Sequence, residues 1–185
     1  MKKEFFEALK GSPIIAAVKD KNFDGALKSP VKVIFLLGAG ILTLKQRVDA
    51  AHKAKKFIFV HMDLAEGIGK DRYGVKYLSM CGVDGIISTK SAIIRAAKEC
   101  GMLTVQRFFA YDSQGVESID ETLYSTNPDI AEIMPGVIGK IIERFSKGSV
   151  PLIAGGLIDK SEEVAEALKL GAIAISTGKE ELWKG

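Results

Sequence analysis

The sequence predicts a compact (β/α)8 barrel that occupies residues 1–185 as a single domain. Short runs recur along the chain, and each is continuously apolar, which is typical of parallel strands buried on both faces. Polar segments with helical periodicity separate these runs, and no linker or change of composition interrupts the series. Eight similar strand–helix units favour closure, although a typical barrel takes ~250 residues. An open doubly wound sheet is the alternative.

Each strand is predicted where an apolar run lies between turn residues. In chain order, the predicted strands are Ile14–Val18, Val31–Leu37, Phe57–Asp63, Gly85–Lys90, Leu103–Phe109, Ile130–Pro135, Val150–Gly155 and Ala172–Thr177. The segments between them, such as TLKQRVDAAHKAKK and GVIGKIIERFSKG, mostly end in the Gly or Lys that favours a helix C-terminus. The first unit is the least regular, because the segment FDGALKS after strand one offers only a short helix.

Composition and charge exclude several classes of protein. Apolar residues at 47% and charged residues at 26% exclude a disordered or fibrous chain. The net charge of +3 is too small to indicate a nucleic-acid-binding protein by itself. Cys81 and Cys100 show no zinc-ligand or CxxC spacing, so we expect no metal site and a reducing cytoplasm. The longest apolar run, VIFLLGAGIL, is far shorter than the ~20 residues of a membrane span, and the N-terminal segment lacks a signal-peptide core.

The carboxyl ends of the predicted strands are unusually polar, and this is where barrels bind their ligands. From strand three to strand eight, these ends carry His61, Asp63, Ser88, Thr89, Lys90, Gln106, Arg107, Glu132, Gly155, Gly156, Ser176, Thr177 and Gly178.

The ends of strands seven and eight predict a phosphate site. Barrels commonly hold a phosphate between these two loops and the start of a short helix, here KEELW. The Gly155–Gly156 pair lets backbone N–H groups approach an anion, and Lys90 and Arg107 would add positive charge. The alternative is that the glycines only close a tight turn.

Several roles stay open on residue type alone. Lys90 could hold an anion, act as a Schiff-base nucleophile made reactive by burial, or pair with Asp63 or Glu132. His61 and Asp63 lie two residues apart on one strand and so point the same way, as a base with its orienting group or as two hydrogen-bonding ligands. His61 could equally be a core histidine. The loop EGIGKDRYG, residues 66–74, is interpreted as a mobile lid.

Two basic helical segments are candidate RNA contacts, although a solvated outer face is the simpler interpretation. The candidate residues are Lys45, Arg47, Lys53, Lys55 and Lys56 in the first segment and Lys140, Arg144 and Lys147 in the second.

Strings along nearly the whole chain resemble one family. FVHMDLAEGIGKDRYG, GIISTKSAIIRAAK, TVQRFF, EIMPG, PLIAGGLI and ISTGKEELW, between Ile14 and Trp183, resemble the glycerol-3-phosphate-responsive antiterminators, also called glycerol uptake operon antiterminator regulatory proteins. The resemblance implies a non-enzymatic barrel protein. Such a protein would sense glycerol-3-phosphate, need no other cofactor, and act on the leader mRNA of glycerol-catabolism genes so that transcription passes a terminator.

The resemblance also implies roles for the strand-end residues. Phosphate would be held by Gly155, Gly156, Ser176, Thr177 and Gly178, with Lys90 and Arg107 adding charge, and the glycerol hydroxyls would meet His61, Asp63, Gln106 and Glu132. Two features depart from the family: members often carry Arg where Lys90 stands, and the loop LLGAGILTL is less polar than is usual.

An enzyme is the chief rival hypothesis, because sensing and catalysis use the same donors and acceptors. It would be a small phosphosugar aldolase or isomerase with Lys90 as nucleophile, or with Glu132 and His61 as an acid–base pair. The sequence does not decide between a monomer and a homo-oligomer.

Overall fold

A computed structural model describes residues 1–184 of the chain. Eight parallel strands form a closed barrel in sequence order, and the last strand pairs with the first. The strands are β1 Ile14–Val18, β2 Val33–Leu36, β3 Phe57–His61, β4 Gly85–Ser88, β5 Leu103–Phe109, β6 Ile130–Met134, β7 Leu152–Gly155 and β8 Ala174–Thr177. The predicted barrel is therefore confirmed, and the open sheet is excluded.

Helices cover the outside of the barrel, and one precedes it. They are α1 Lys2–Gly11, α2 Phe23–Lys28, α3 Leu44–Lys53, α4 Arg72–Met80, α5 Ser91–Glu99, α6 Ser113–Thr126, α7 Gly139–Ser146 and α8 Ser161–Lys169. A 3₁₀ helix at Glu180–Lys184 takes the place of a helix after β8, and shorter 3₁₀ turns lie at Asp20–Asn22 and Met62–Leu64. No helix within residues 1–184 is long and apolar enough to span a membrane.

Alternate residues of each strand enter two separate hydrophobic clusters, as the period-2 geometry of a strand requires. One cluster fills the barrel and includes Phe35, Phe59 and Val105. The other lies between the barrel and its helices and includes Ile34 and Val60. This alternation decides which strand-end side chains can reach the barrel mouth.

Helix α1 closes the amino-terminal end of the barrel, a role that sequence analysis missed. Phe5 and Leu9, one helical turn apart, are fully buried and belong to the interior cluster. The Phe5 ring lies 5.5 Å from that of Phe57 and 5.1 Å from that of Phe59. The segment KKEFFEALKG lies before the first predicted strand, and its i, i+4 apolar pair is typical of an amphipathic helix.

Candidate ligand-binding site

A buried charged pair organises the mouth of the barrel. Arg107 on β5 and Glu132 on β6 are paired in register, both point inward, and Nε of Arg107 donates to Oε2 of Glu132 at 2.6 Å. Ser176 on β8 donates its hydroxyl to the other carboxylate oxygen, Oε1, at 2.5 Å. The carboxylate is fully buried and has a donor on each oxygen. Glu132 therefore positions Arg107, and each of its two carboxylate oxygens already accepts one hydrogen bond. The contact predicted between Glu132 and a ligand hydroxyl stays a prediction.

Gly155 makes that contact between Glu132 and Ser176 sterically feasible. Its strand, β7, lies between β6 and β8. A Cβ at residue 155 would come within 2.5 Å of Ser176 Oγ and 2.7 Å of Glu132 Oε1. The residue was predicted to cradle phosphate, but the geometry gives it a different function: it leaves room for a buried side-chain network.

A cavity of about 180 Å³ opens beside this network at the carboxyl ends of β7 and β8. Most of the residues predicted to hold phosphate line it. The lining consists of Ala17, Leu37, Arg107, Met134, Gly156, Leu157, Ile158, Asp159, Ser176, Thr177 and Gly178. The cavity lies where barrel proteins commonly bind phosphate.

The cavity is lined by hydrogen-bond donors without protein partners. No described residue accepts from Nη1 or Nη2 of Arg107, because only Nε contacts Glu132. No described group accepts from the backbone N–H of Gly156, Leu157 or Gly178. Gly156, with φ of +74°, has the left-handed conformation that glycine adopts at no steric cost. A guanidinium face and free backbone N–H groups together are suited to an anion.

The hydroxyl and the carbonyl of Thr177 both form hydrogen bonds within the protein. Its Oγ1 donates to the carbonyl of Ile158 at 2.9 Å and accepts from the N–H of Lys179 at 3.1 Å. Its carbonyl accepts from the indole of Trp183 at 2.9 Å. These bonds fix the end of β8 against the loop after β7 and shape one wall of the cavity.

His61 is a buried imidazole with no hydrogen-bond partner on either ring nitrogen. It is 5% exposed and lies on the inward-facing side of β3, two residues after Phe59. Burial, together with the nearby charge of Arg107, lowers the pKa of His61 to about 4. The neutral ring therefore has one hydrogen-bond donor and one acceptor. Within residues 1–184, no protein group forms a hydrogen bond with either of them.

Asp63 anchors two loops and does not extend freely into the mouth. Its carboxylate accepts from the hydroxyl of Ser88 at 2.6 Å and from the N–H and hydroxyl of Thr89 at 2.7 and 2.9 Å. Burial alone would raise the pKa of Asp63, but these bonds hold it below its ordinary value. His61 lies 3.7 Å away from it, beyond hydrogen-bond distance. Asp63 thus serves to position the start of α5.

The prediction that Gln106 meets the ligand is wrong because of strand alternation. Its neighbours Val105 and Arg107 point into the barrel, so Gln106 points outward. There its amide oxygen accepts from Thr126 on α6, and its amide nitrogen donates to Ser91 on α5. The strand LTVQRFF is buried on both faces along most of its length. Its sequence therefore does not show which alternate side chains point into the barrel.

Lys90 is the N-cap residue of α5 and is exposed, so it is not the buried lysine that the nucleophile hypothesis requires. It does not line the cavity with Arg107, and neither Asp63 nor Glu132 pairs with it. Two other lysines lie near the mouth and were missed. Lys70 acts electrostatically on His61, and Lys19 directly follows β1 and lines a neighbouring cavity of about 320 Å³. A lysine directly after a strand was the available signal for Lys19.

The candidate RNA-binding residues differ in their surroundings. Lys56 is buried, and its ammonium group donates to the carbonyls of Ser29 and Val31, so its assignment to RNA is wrong. Lys45 pairs with Asp49, and Arg47 pairs with Asp24 at 3.6 Å while lying over the Phe23 ring.

The remaining candidates are exposed. Arg144 pairs with Asp120 at 2.7 Å and Lys147 with Glu143 at 2.9 Å. Among the described residues, no carboxylate pairs with Lys53, Lys55 or Lys140.

Comparison with known proteins assigns the chain to a family. Residues 14–183 match the family described as glycerol-3-phosphate responsive antiterminator. The chain belongs to this family. The resemblance noted in the sequence is thereby confirmed, and the family's description indicates a regulator.

Related proteins match over most of their length. The uncharacterized protein YgcP of Escherichia coli (strain K12) is 35% identical over 95% of this chain and 93% of its own. The crystal structure of the glycerol uptake operon antiterminator regulatory protein from Listeria monocytogenes str. 4b F2365 matches with a TM-score of 0.89, at 33% identity over 94% of this chain and 96% of that one. A glycerol uptake operon antiterminator-related protein from Thermotoga maritima MSB8 gives a TM-score of 0.84, at 34% identity over 93% and 98%.

Enzymes share the barrel as well. The deoxyribose phosphate aldolase from Aeropyrum pernix has a TM-score of 0.70 at 11% identity, over 98% of this chain and 96% of that one. At this identity the likeness concerns the fold alone and carries no activity over to this family member.

Proposed function

We propose that this chain senses glycerol-3-phosphate at the carboxyl-terminal mouth of its barrel. When the ligand is bound, the protein acts as an antiterminator on the leader mRNA of glycerol-catabolism genes, without catalysing a reaction. The observation that carries the proposal is Arg107, whose two terminal nitrogens have no partner among the described residues and which lines a small cavity with the free N–H groups of Gly156 and Gly178. Membership of the glycerol-3-phosphate responsive antiterminator family supports both the effector and the regulatory role in this proposal.

The size and chemistry of the mouth suit a small phosphorylated polyol. A cavity of about 180 Å³ is smaller than the ~300–1,000 Å³ that drug-sized ligands occupy. In this proposal the phosphate lies against Arg107, and the glycerol hydroxyls extend toward His61. The neutral imidazole can donate to one hydroxyl oxygen and accept from another, which satisfies the two buried ring nitrogens that have no partner.

The surroundings of the candidate catalytic groups favour a sensor over an aldolase. A Schiff-base lysine is activated by desolvation, but Lys90 is exposed to water. An acid–base carboxylate must reach the substrate, whereas Glu132 is fully buried and holds Arg107 in place through bonds from Arg107 and Ser176.

In vitro transcription through the leader of a glycerol-catabolism operon tests the proposal. We expect terminator read-through to rise only when both the protein and glycerol-3-phosphate are present, and not with glycerol or inorganic phosphate. The matched control is the double variant Arg107→Met, Glu132→Gln. It removes both charges of the buried pair and should fold, but it should not bind glycerol-3-phosphate or raise read-through. Read-through that ignores the effector would contradict the proposal. Borohydride trapping of a carbonyl phosphosugar on Lys90 would instead support the enzyme.

A further inference from the structure

Two aromatic rings are stacked at the surface beside the ligand cavity. Phe109 is the last residue of β5, and Tyr111 follows in the loop. Their ring centroids lie 5.3 Å apart and their planes differ by 4°. Tyr111 is 80% exposed and Phe109 39%. A parallel pair of exposed rings leaves the outer face of Tyr111 open to a further planar group.

A groove of about 490 Å³ lies against the Tyr111 ring, between the beginnings of α6 and α7. Lys140 and Arg144 on α7 line one side, and Asp112 and Glu117 line the other. Arg144 is paired with Asp120, but no described carboxylate pairs with Lys140. The groove therefore presents an aromatic face and one uncompensated cation, with carboxylates opposite them.

The stacked pair is directly connected to the ligand cavity. Phe109 lies two residues after Arg107 on the same strand and is in register with Met134, which lines the cavity. The N–H of Ala110, between the two rings, donates to the carbonyl of Met134 at 2.8 Å. A movement of Arg107 on ligand binding would therefore occur on the same strand as Phe109, close to the two stacked rings.

We propose that Phe109, Tyr111 and Lys140 form a platform for a single-stranded segment of RNA. One base stacks on the open face of Tyr111, and the adjoining backbone phosphate lies at Lys140. This inference rests on the proposed function, since it names the surface on which the antiterminator meets its transcript. Stacking is available only to bases that are not paired in a duplex, and it tolerates any base.

The charges of the groove favour this occupant over a duplex. A tract of phosphates would meet the carboxylates of Asp112 and Glu117, whereas a single base can donate its amino groups to them. A duplex that binds by its phosphates would instead prefer the exposed Lys53 and Lys55 at the end of α3. Those two lysines serve as a matched control.

Fluorescence anisotropy with labelled RNA tests the platform. The probes are octamers of oligo(A) and oligo(U) and a perfect RNA duplex, each titrated with the full chain at saturating glycerol-3-phosphate. We expect Tyr111→Ala to weaken octamer binding at least about tenfold, because one stacked base is lost, and Tyr111→Phe to retain it. Lys140→Ala should lower the slope of log K against log salt by about one. Lys53→Ala combined with Lys55→Ala should leave octamer binding unchanged.

The outcomes separate this inference from the proposed function. Octamer binding that Tyr111→Ala leaves unchanged would overturn the platform while leaving the antiterminator role intact. A wild-type protein that binds neither octamer nor duplex would overturn both the platform and the RNA part of the proposed function. Calorimetric binding of glycerol-3-phosphate is a separate readout, and Tyr111→Ala should not alter it. If Tyr111→Ala lowers the molar mass in light scattering instead, the rings form a protein interface and the inference is wrong.

Discussion

Glu132 determines which atoms Arg107 can offer to a ligand. Because the carboxylate takes Nε and is held from the other side by Ser176, the guanidinium is fixed with both terminal nitrogens free. A buried carboxylate needs such partners, since an unpaired charge in a protein interior is strongly destabilising. One network therefore keeps the buried charges paired and positions the group that we propose to bind the anion.

The first prediction concerns this buried pair. Arg107→Ala leaves Glu132 buried without its cation, so we expect the free energy of unfolding to fall by about 3–5 kcal/mol. Arg107→Met combined with Glu132→Gln removes both charges and should recover much of that loss, while still failing to bind glycerol-3-phosphate. Urea denaturation measures the first effect and calorimetry the second. A single variant as stable as the wild type would show that the pair is not buried as described.

The second prediction separates the roles of two glycines. Gly155→Ala places a Cβ within 2.7 Å of both Ser176 Oγ and Glu132 Oε1, so we expect a loss of about 1–3 kcal/mol in stability from overpacking. Gly178→Ala meets only the Ala17 carbonyl, at 3.4 Å, and should leave stability unchanged while narrowing the cavity and weakening ligand binding. Thermal denaturation of both variants measures the difference in stability. Equal stability of the two would contradict the role given to Gly155.

The third prediction follows from the titration of His61. Its pKa falls from 6.5 to about 4 on folding, so the unfolded chain binds the proton more tightly within that window. Stability is therefore lost as the pH falls from 6.5 toward 4. His61→Asn should show a shallower decrease in the free energy of unfolding over the same range. Identical pH slopes for variant and wild type would mean that His61 is not buried as a neutral ring.

Sequence analysis named five of the eleven residues that line the cavity, but it did not give the orientation of the side chains. Arg107 and Gly156 follow from the rule that barrel ligands bind at strand ends. Gln106 was wrongly included because its strand is buried on both faces. Only the closed barrel shows which alternate side chains of the strand point inward. The role of Gly155 depends on a contact between side chains of the two flanking strands, which no local pattern encodes.

At the scale of elements, α1 acts as the base of the barrel. Its Phe5 and Leu9 complete the interior cluster from below, where the strands alone would leave it open to water. The helix is short and precedes the repeating strand–helix units, so the repeat pattern of the sequence does not predict it. The eight strands, by contrast, were predicted to within two residues at each end, because continuous apolar runs mark buried parallel strands.

The fourth prediction tests this role of α1. Phe5→Ala should lower the free energy of unfolding by about 3–5 kcal/mol, the usual cost of deleting a fully buried aromatic ring. The adjacent Phe6 is only partly buried, so Phe6→Ala serves as the control and should cost much less. Urea denaturation of both variants measures the difference. Equal losses would show that α1 does not seal the interior.

At the scale of the whole molecule, closure of the barrel brings distant parts of the chain to one mouth. The loops after β2 and β3 are joined there by a bridge between Gly40 and Glu66, so the segment interpreted as a lid is tied to its neighbour. That segment remains a predicted lid. Closure also places the aromatic pair at the end of β5 next to the cavity at the carboxyl ends of β7 and β8, which would allow one site to influence the other.

The most direct test of the account is calorimetric titration with glycerol-3-phosphate beside glycerol and inorganic phosphate. We predict saturable binding that needs the whole ligand and that is lost when Arg107→Met is combined with Glu132→Gln in a folded variant. No heat of binding in the wild type, or equal binding by the variant, would contradict a phosphate site at Arg107.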